Sequence, residues 1–132
     1  MAGLYLDTSA LGRVLLSEPD AEMIRDTLAS YDTWCSSALL AVELRRLARR
    51  ESLEPVADRL LDNVRLTDLD RATLDRAAQL DPVEVATLDA IHLDAAIGLA
   101  GRGVINAVLT YDRQLQTGCS HHGLPVEAPA PT

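Results

Sequence analysis

Apolar residues come in short bursts that stop at polar ones, and the spacing within each burst names its element. Leu4-Tyr5-Leu6 ends abruptly in Asp7-Thr8-Ser9, as a buried strand does when it runs into a helix N-cap. A helix is predicted from Ser9 to about Leu16. Ser17-Glu18-Pro19-Asp20 starts another, with proline in its first turn and acids where the helix dipole favours them. Ala21, Ile24 and Leu28 form its buried stripe. Thr33-Trp34-Cys35 predicts a second strand, and Ser36-Ser37 caps a helix that continues through Arg50. From Leu53 to Val64 the apolar positions 53, 56, 57, 60, 61 and 64 keep helical spacing. Arg65-Leu66-Thr67 is a weak third strand, Asp70 caps a helix to about Leu80, and Asp81-Pro82 ends it. Thr87 to Ala100 is apolar nearly all round, which predicts a central buried helix closed by Gly101. Ala107-Val108-Leu109-Thr110 is a further strand, Asp112 opens a short helix, and Pro125-Val126 adds an edge strand.

Short apolar strands separated by helices imply a parallel sheet covered on both faces. The expected fold is an α/β domain of three layers, α/β/α, with a short parallel central sheet and many helices. The 132 residues hold one such domain, assigned to residues 1–127, with residues 128–132 expected to be a disordered tail.

Charge narrows the chemistry. The 12 basic residues are all arginine, set against 20 acids for a net charge of −8. Without lysine the chain cannot be a P-loop NTPase, a Schiff-base enzyme or a Ser-x-x-Lys hydrolase, and a receiver domain also needs one. The acidic balance excludes binding of nucleic acid by a bulk basic field, but not an enzyme that meets phosphate through a metal ion. Cys35 and Cys119 are too few for a disulfide scaffold. A cytoplasmic protein is expected, with no signal peptide and no membrane span.

In open parallel sheets the site lies at the carboxyl ends of the strands, where the pattern places Asp7 and Asp112. Either alone is as readily a cap or turn residue. Glu43 is more telling, because Leu39, Leu40 and Leu47 lie one turn away and put it on an apolar stripe. Its charge must be compensated inside the protein, by a metal ion or by an arginine such as Arg46. Asp89 lies in the first turn of the buried helix, where the dipole favours the ionised form. Asp94, about 140° further round, is a peripheral acid. Oxygen-only ligation by such acids suits Mg2+ or Mn2+, which can activate water and stabilise a phosphodiester's leaving oxygen.

The segments Leu-Asp7-Thr-Ser-Ala-Leu, Ala-Val-Glu43-Leu, Thr-Leu-Asp89-Ala-Ile-His-Leu and Leu-Thr-Tyr-Asp112-Arg-Gln-Leu occur in the order and spacing of PIN domains. Over residues 3 to 127 the chain resembles a VapC-type toxin, the ribonuclease half of a bacterial toxin–antitoxin pair. The resemblance implies an Mg2+-dependent endoribonuclease, with Mn2+ able to substitute. The family's acidic quartet falls on Asp7, Glu43, Asp89 and Asp112, with hydroxyl support from Thr8, Ser9 and Thr110. It also implies an RNA substrate, a cognate antitoxin that inhibits the enzyme, and a homodimer. Asp94 departs from the family, which commonly has a small or apolar residue there.

Arg45, Arg46, Arg49 and Arg50, just past Glu43, could hold RNA phosphates, although a solvated helix face laced with acids is the plainer reading. Cys119, His121 and His122 lack the paired spacing of a zinc site. His92 reads as a satisfied core histidine rather than a thiol-hydrolase partner of Cys35. Gly101-Arg-Gly103 follows a helix, the wrong context for a dinucleotide. A catalytically silent PIN-like binding module is the alternative from another class. A haloacid-dehalogenase-like phosphatase is a weaker one, since Ser9 stands where it needs a second aspartate.

Overall fold

A computed structural model describes residues 2–131; Met1, and Thr132 at the end of the expected tail, lie outside the described residues. The central strand β1 (Gly3–Leu6) is buried throughout. It pairs in parallel with β2 (Thr33–Ser37) on one side and β4 (Ala107–Leu109) on the other. Outside these lie β3 (Arg65–Thr67) and β5 (Val126–Glu127), giving a five-stranded parallel sheet of order β3-β2-β1-β4-β5. Gly3 is required where β1 passes the Ile105-Asn106 approach to β4, because a Cβ there would collide with the Val104 carbonyl.

Alternation along β1 sorts the helices into layers. Leu4 and Leu6 face α1 (Thr8–Leu15), α2 (Ala21–Ala29), α3 (Ala38–Arg50) and α4 (Glu54–Leu61), whose Leu11, Ile24, Leu40, Leu44 and Ala57 complete one core. Tyr5 faces the other way, toward α6 (Thr87–Gly101) and α7 (Arg113–His121), and joins Leu93, Ala96, Val108, Leu115 and Cys119 in the second core. Helix α5 (Arg71–Ala78) packs on the outside of α6. This is the expected three-layer α/β/α fold.

Several boundaries shift for local reasons. Pro19 precedes α2 instead of opening it, and Asp20 spends its Oδ2 on Arg13, 2.6 Å away, rather than on the helix N-terminus. The predicted helix of residues 53–64 is trimmed to Glu54–Leu61. Gly101 does not close α6 but is its last residue; Arg102 follows, and the left-handed φ of 74° falls at Gly103. The tail is met by Tyr111, whose hydroxyl donates to the Pro129 carbonyl. No helix of the described residues is long and apolar enough to cross a membrane.

Candidate active site

The sheet's order reverses at β1, so β1 and β4 feed their helices to opposite faces and leave a crevice at their carboxyl ends. Asp7 stands there as the first residue after β1. It occupies the N-cap position of α1 in an extended conformation, yet its side chain does not cap the helix. Its Oδ2 instead accepts hydrogen bonds from Ser9 Oγ (2.6 Å) and Thr110 Oγ1 (2.8 Å). Both hydroxyls have second duties: Ser9 Oγ accepts from the Tyr111 amide, and Thr110 Oγ1 accepts from the Asp112 amide at 3.0 Å. Small hydroxyl side chains after β1 and β4 thus lace the two strand ends together around a buried carboxylate.

Asp112 is the N-cap of α7, its Oδ1 accepting from the Gln114 and Leu115 amides. It lies beside Asp89 in the first turn of α6. Burial, and then the charge and hydrogen bond of Asp112 with a further push from Asp7, raise the Asp89 carboxyl to about 7. The expectation that the helix dipole keeps Asp89 ionised is therefore overturned: desolvation and its acidic neighbours outweigh the dipole.

Glu43 corrects a second expectation. It sits at the edge of the buried stripe of α3 rather than within it, with its side chain 24% exposed. Its partner is not Arg46, which is exposed and makes no ion pair among the described residues. Glu43 Oε1 instead accepts from Thr8 Oγ1 (2.8 Å) and lies 2.7 Å from His92 Nε2. Burial alone would raise the Glu43 carboxyl, but the hydrogen bonds and charge of His92, with Thr8, hold it below its ordinary value.

His92 is the residue that sequence reasoning missed. It is buried and satisfied, as a core histidine would be, but one turn past Asp89 on α6 it reaches the acids. Its Nδ1 is 2.7 Å from the Tyr5 hydroxyl, and its Nε2 is 3.7 Å from Asp7 Oδ1, too far for a hydrogen bond. Each of Asp7, Glu43 and His92 brings one potential ligand atom within 4.8 Å of the other two. The usable sequence signal was its i, i+3 relation to Asp89, which places both on one helix face.

The remaining candidates fall elsewhere. Asp94 is buried on α6 and paired with Arg76 at 3.3 Å, away from the other acids. Arg45 is engaged with Asp58 at 3.2 Å, whereas Arg46, Arg49 and Arg50 project exposed from α3. Cys119 is buried in the second core and His122 Nε2 bonds the Asp81 carbonyl, so no zinc site forms from this segment among the described residues. Cys35 does not meet His92, both of whose nitrogens are engaged by Tyr5 and Glu43.

Among the described residues, none of Asp7, Glu43, Asp89 and Asp112 pairs with an arginine. Carboxylates gathered without arginine partners, one of them driven toward its protonated form, have the donor chemistry of a divalent-cation site.

A model of the family described as the PIN domain matches residues 4–117. Ribonuclease VapC46 of Mycobacterium tuberculosis (strain ATCC 25618 / H37Rv) is 36% identical over 133 residues, covering 98% of this chain and 100% of the relative. Ribonuclease VapC47 of Mycobacterium tuberculosis (strain CDC 1551 / Oshkosh) is 32% identical, covering 96% of each. Among solved structures, Mycobacterium tuberculosis VapC20, described as a Sarcin-Ricin loop cleaving toxin, superposes with a TM-score of 0.68 at 18% identity. That match covers 86% of this chain and 93% of VapC20 and reflects a shared fold.

Proposed function

Because the chain belongs to the PIN-domain family, in its VapC branch, we propose that it is an endoribonuclease dependent on a divalent cation and the toxin half of a toxin–antitoxin pair. The observation that carries this reading is the convergence of Asp7, Glu43, Asp89 and Asp112 at the switch point of the sheet with no arginine to neutralise them. Asp7, Glu43, Asp89 and Asp112 would hold the cation. Carboxylate oxygens favour Mg2+, with Mn2+ as a substitute. Bound there, the cation supplies the positive charge that a scissile phosphodiester and its attacking water require.

The chain's own residues do the positioning. Ser9 and Thr110 fix Asp7 through Oδ2, while Oδ1 is the oxygen on the side of His92, 3.7 Å from its Nε2. Thr8 and His92 together fix Glu43 through Oε1. Burial, and then Asp112, raise the Asp89 carboxyl to about 7, and a cation held beside it would favour its ionised form. Arg46, Arg49 and Arg50 lie further along α3 from Glu43, exposed and without ion pairs among the described residues, and are the side chains suited to RNA phosphates. A cognate antitoxin that silences the enzyme, a homodimer and a cytoplasmic location complete the reading.

The test is cleavage of a labelled RNA by the purified chain in EDTA and after addition of Mg2+ or Mn2+. Cleavage that stops in EDTA and returns with either ion supports the reading. Unchanged cleavage in EDTA, or none with either ion, overturns it.

A further inference from the structure

Tyr5 points away from Leu4 and Leu6 into the second core, where its hydroxyl lies between the end of β2 and α6. The phenolic oxygen accepts the Ser37 amide N–H at 3.2 Å and stands 2.7 Å from His92 Nδ1. An amide N–H can only donate. The phenol therefore holds Nδ1, giving it the phenolic proton or, with the Ser36 and Ser37 hydroxyls also in reach, accepting from it.

The opposite side of the ring fixes a proton. His92 Nε2 lies 2.7 Å from Glu43 Oε1, an oxygen that already accepts from Thr8. A carboxylate at that distance needs a proton on Nε2. Two contacts, made to residues 87 and 49 positions away in sequence, thus fix the ring, with Nδ1 held by Tyr5 and an Nε2–H directed at Glu43.

We propose that Tyr5 is a positioning residue that holds His92 with its Nε2–H toward Glu43, so that the ring anchors Glu43 by donating a hydrogen bond and is kept out of metal coordination. The proposal rests on the reading of the acids as a cation site and deepens it. With a bare Nε2, the trio of Asp7, Glu43 and His92 would offer a mixed nitrogen–oxygen set, the kind that suits zinc. With Nε2 protonated, the cluster presents oxygen alone, the set suited to Mg2+ and Mn2+. A tyrosine on the far side of the imidazole from the acids thereby sets which ions the site takes.

The first test needs no metal. Long-range 1H–15N correlation spectra of the labelled, metal-free full chain at neutral pH should show His92 with a proton on Nε2. A bare Nε2 overturns the proposal. The second test is calorimetric titration with Mn2+ of wild type, Tyr5→Phe, His92→Gln and His92→Ala. Tyr5→Phe and His92→Ala should lose about tenfold or more in affinity, the usual range for removing a partner that orients a ligand. His92→Gln, whose amide N–H falls close to the place of Nε2–H, should stay within about threefold of wild type. His92→Gln binding as poorly as His92→Ala would make the ring nitrogen a ligand and overturn the proposal. A wild type that binds no Mn2+ would sink the cation-site reading instead, while the spectra still decide whether Nε2 carries the proton.

Discussion

Thr110 ties Asp7 to Asp112: its hydroxyl donates to Asp7 Oδ2 at 2.8 Å and accepts the Asp112 amide at 3.0 Å. One buried oxygen therefore sets the separation of acids that stand 105 residues apart in sequence. Thr110→Val keeps the shape and removes both bonds, leaving a buried carboxylate one donor short. It should cost about 1–3 kcal/mol of stability and weaken Mn2+ binding. Thr110→Ser should restore most of both. Denaturant melts and calorimetry check this, and a Val variant as stable as wild type would deny the tie any weight.

Asp7→Asn removes the charge of the best-anchored acid at almost constant volume. RNA cleavage should fall by ~100-fold or more, beyond the usual loss on removing an outer-shell partner. Circular dichroism should be unchanged. In a gel assay of the folded variant, cleavage near wild-type rates would remove Asp7 from the machinery.

Asp89 and Glu43 should respond to pH with opposite signs. The Asp89 carboxyl rises from an ordinary 3.8 to about 7 through burial and then Asp112. Its contribution to stability is complete below about pH 4 and lost as pH rises through about 7. In EDTA, Asp89→Asn should therefore melt above wild type at about pH 8 and converge with it in acid. The Glu43 carboxyl is held below its ordinary 4.5, because His92 and Thr8 outweigh burial. Its contribution is present above about pH 4.5 and lost as pH falls below that. Glu43→Gln should therefore melt below wild type at neutral pH, with the gap closing in acid. Melting curves of both variants across pH read this directly, and shifts of the same sign would refute the assigned partners.

Asp94 supplies the contrast. Its buried carboxylate is paired with the largely exposed guanidinium of Arg76. Arg76→Ala should cost ~1–2 kcal/mol, between surface and buried-pair values, and leave Mn2+ affinity untouched. A parallel loss of metal binding would bring Asp94 into the site.

Much of this was legible because the sheet is parallel and its strands are short. Leu4-Tyr5-Leu6 and Ala107–Leu109 have to be buried strands, and the acid that follows each has to emerge at their carboxyl ends. Asp89 and Glu43 could be placed on their helices from spacing alone. Their electrostatics could not, because these depend on neighbours brought in by tertiary packing. Asp89 meets Asp112 from another element, and Glu43 finds His92 across 49 residues. The end of α6 escaped for a smaller reason: Gly101 and Gly103 both offer a stop, and only the backbone shows which one takes the left-handed turn.

The pairing of β1 with β4 has a consequence for synthesis. Asp7, which follows β1, leaves the ribosome 103 residues ahead of Thr110. Until Thr110 and Asp112 are made, Asp7 has neither the Thr110 hydroxyl nor its neighbouring acid. The acidic cluster is therefore complete only once Asp112 has been made, and a nascent chain halted before residue 110 carries the first acid of the site without the site.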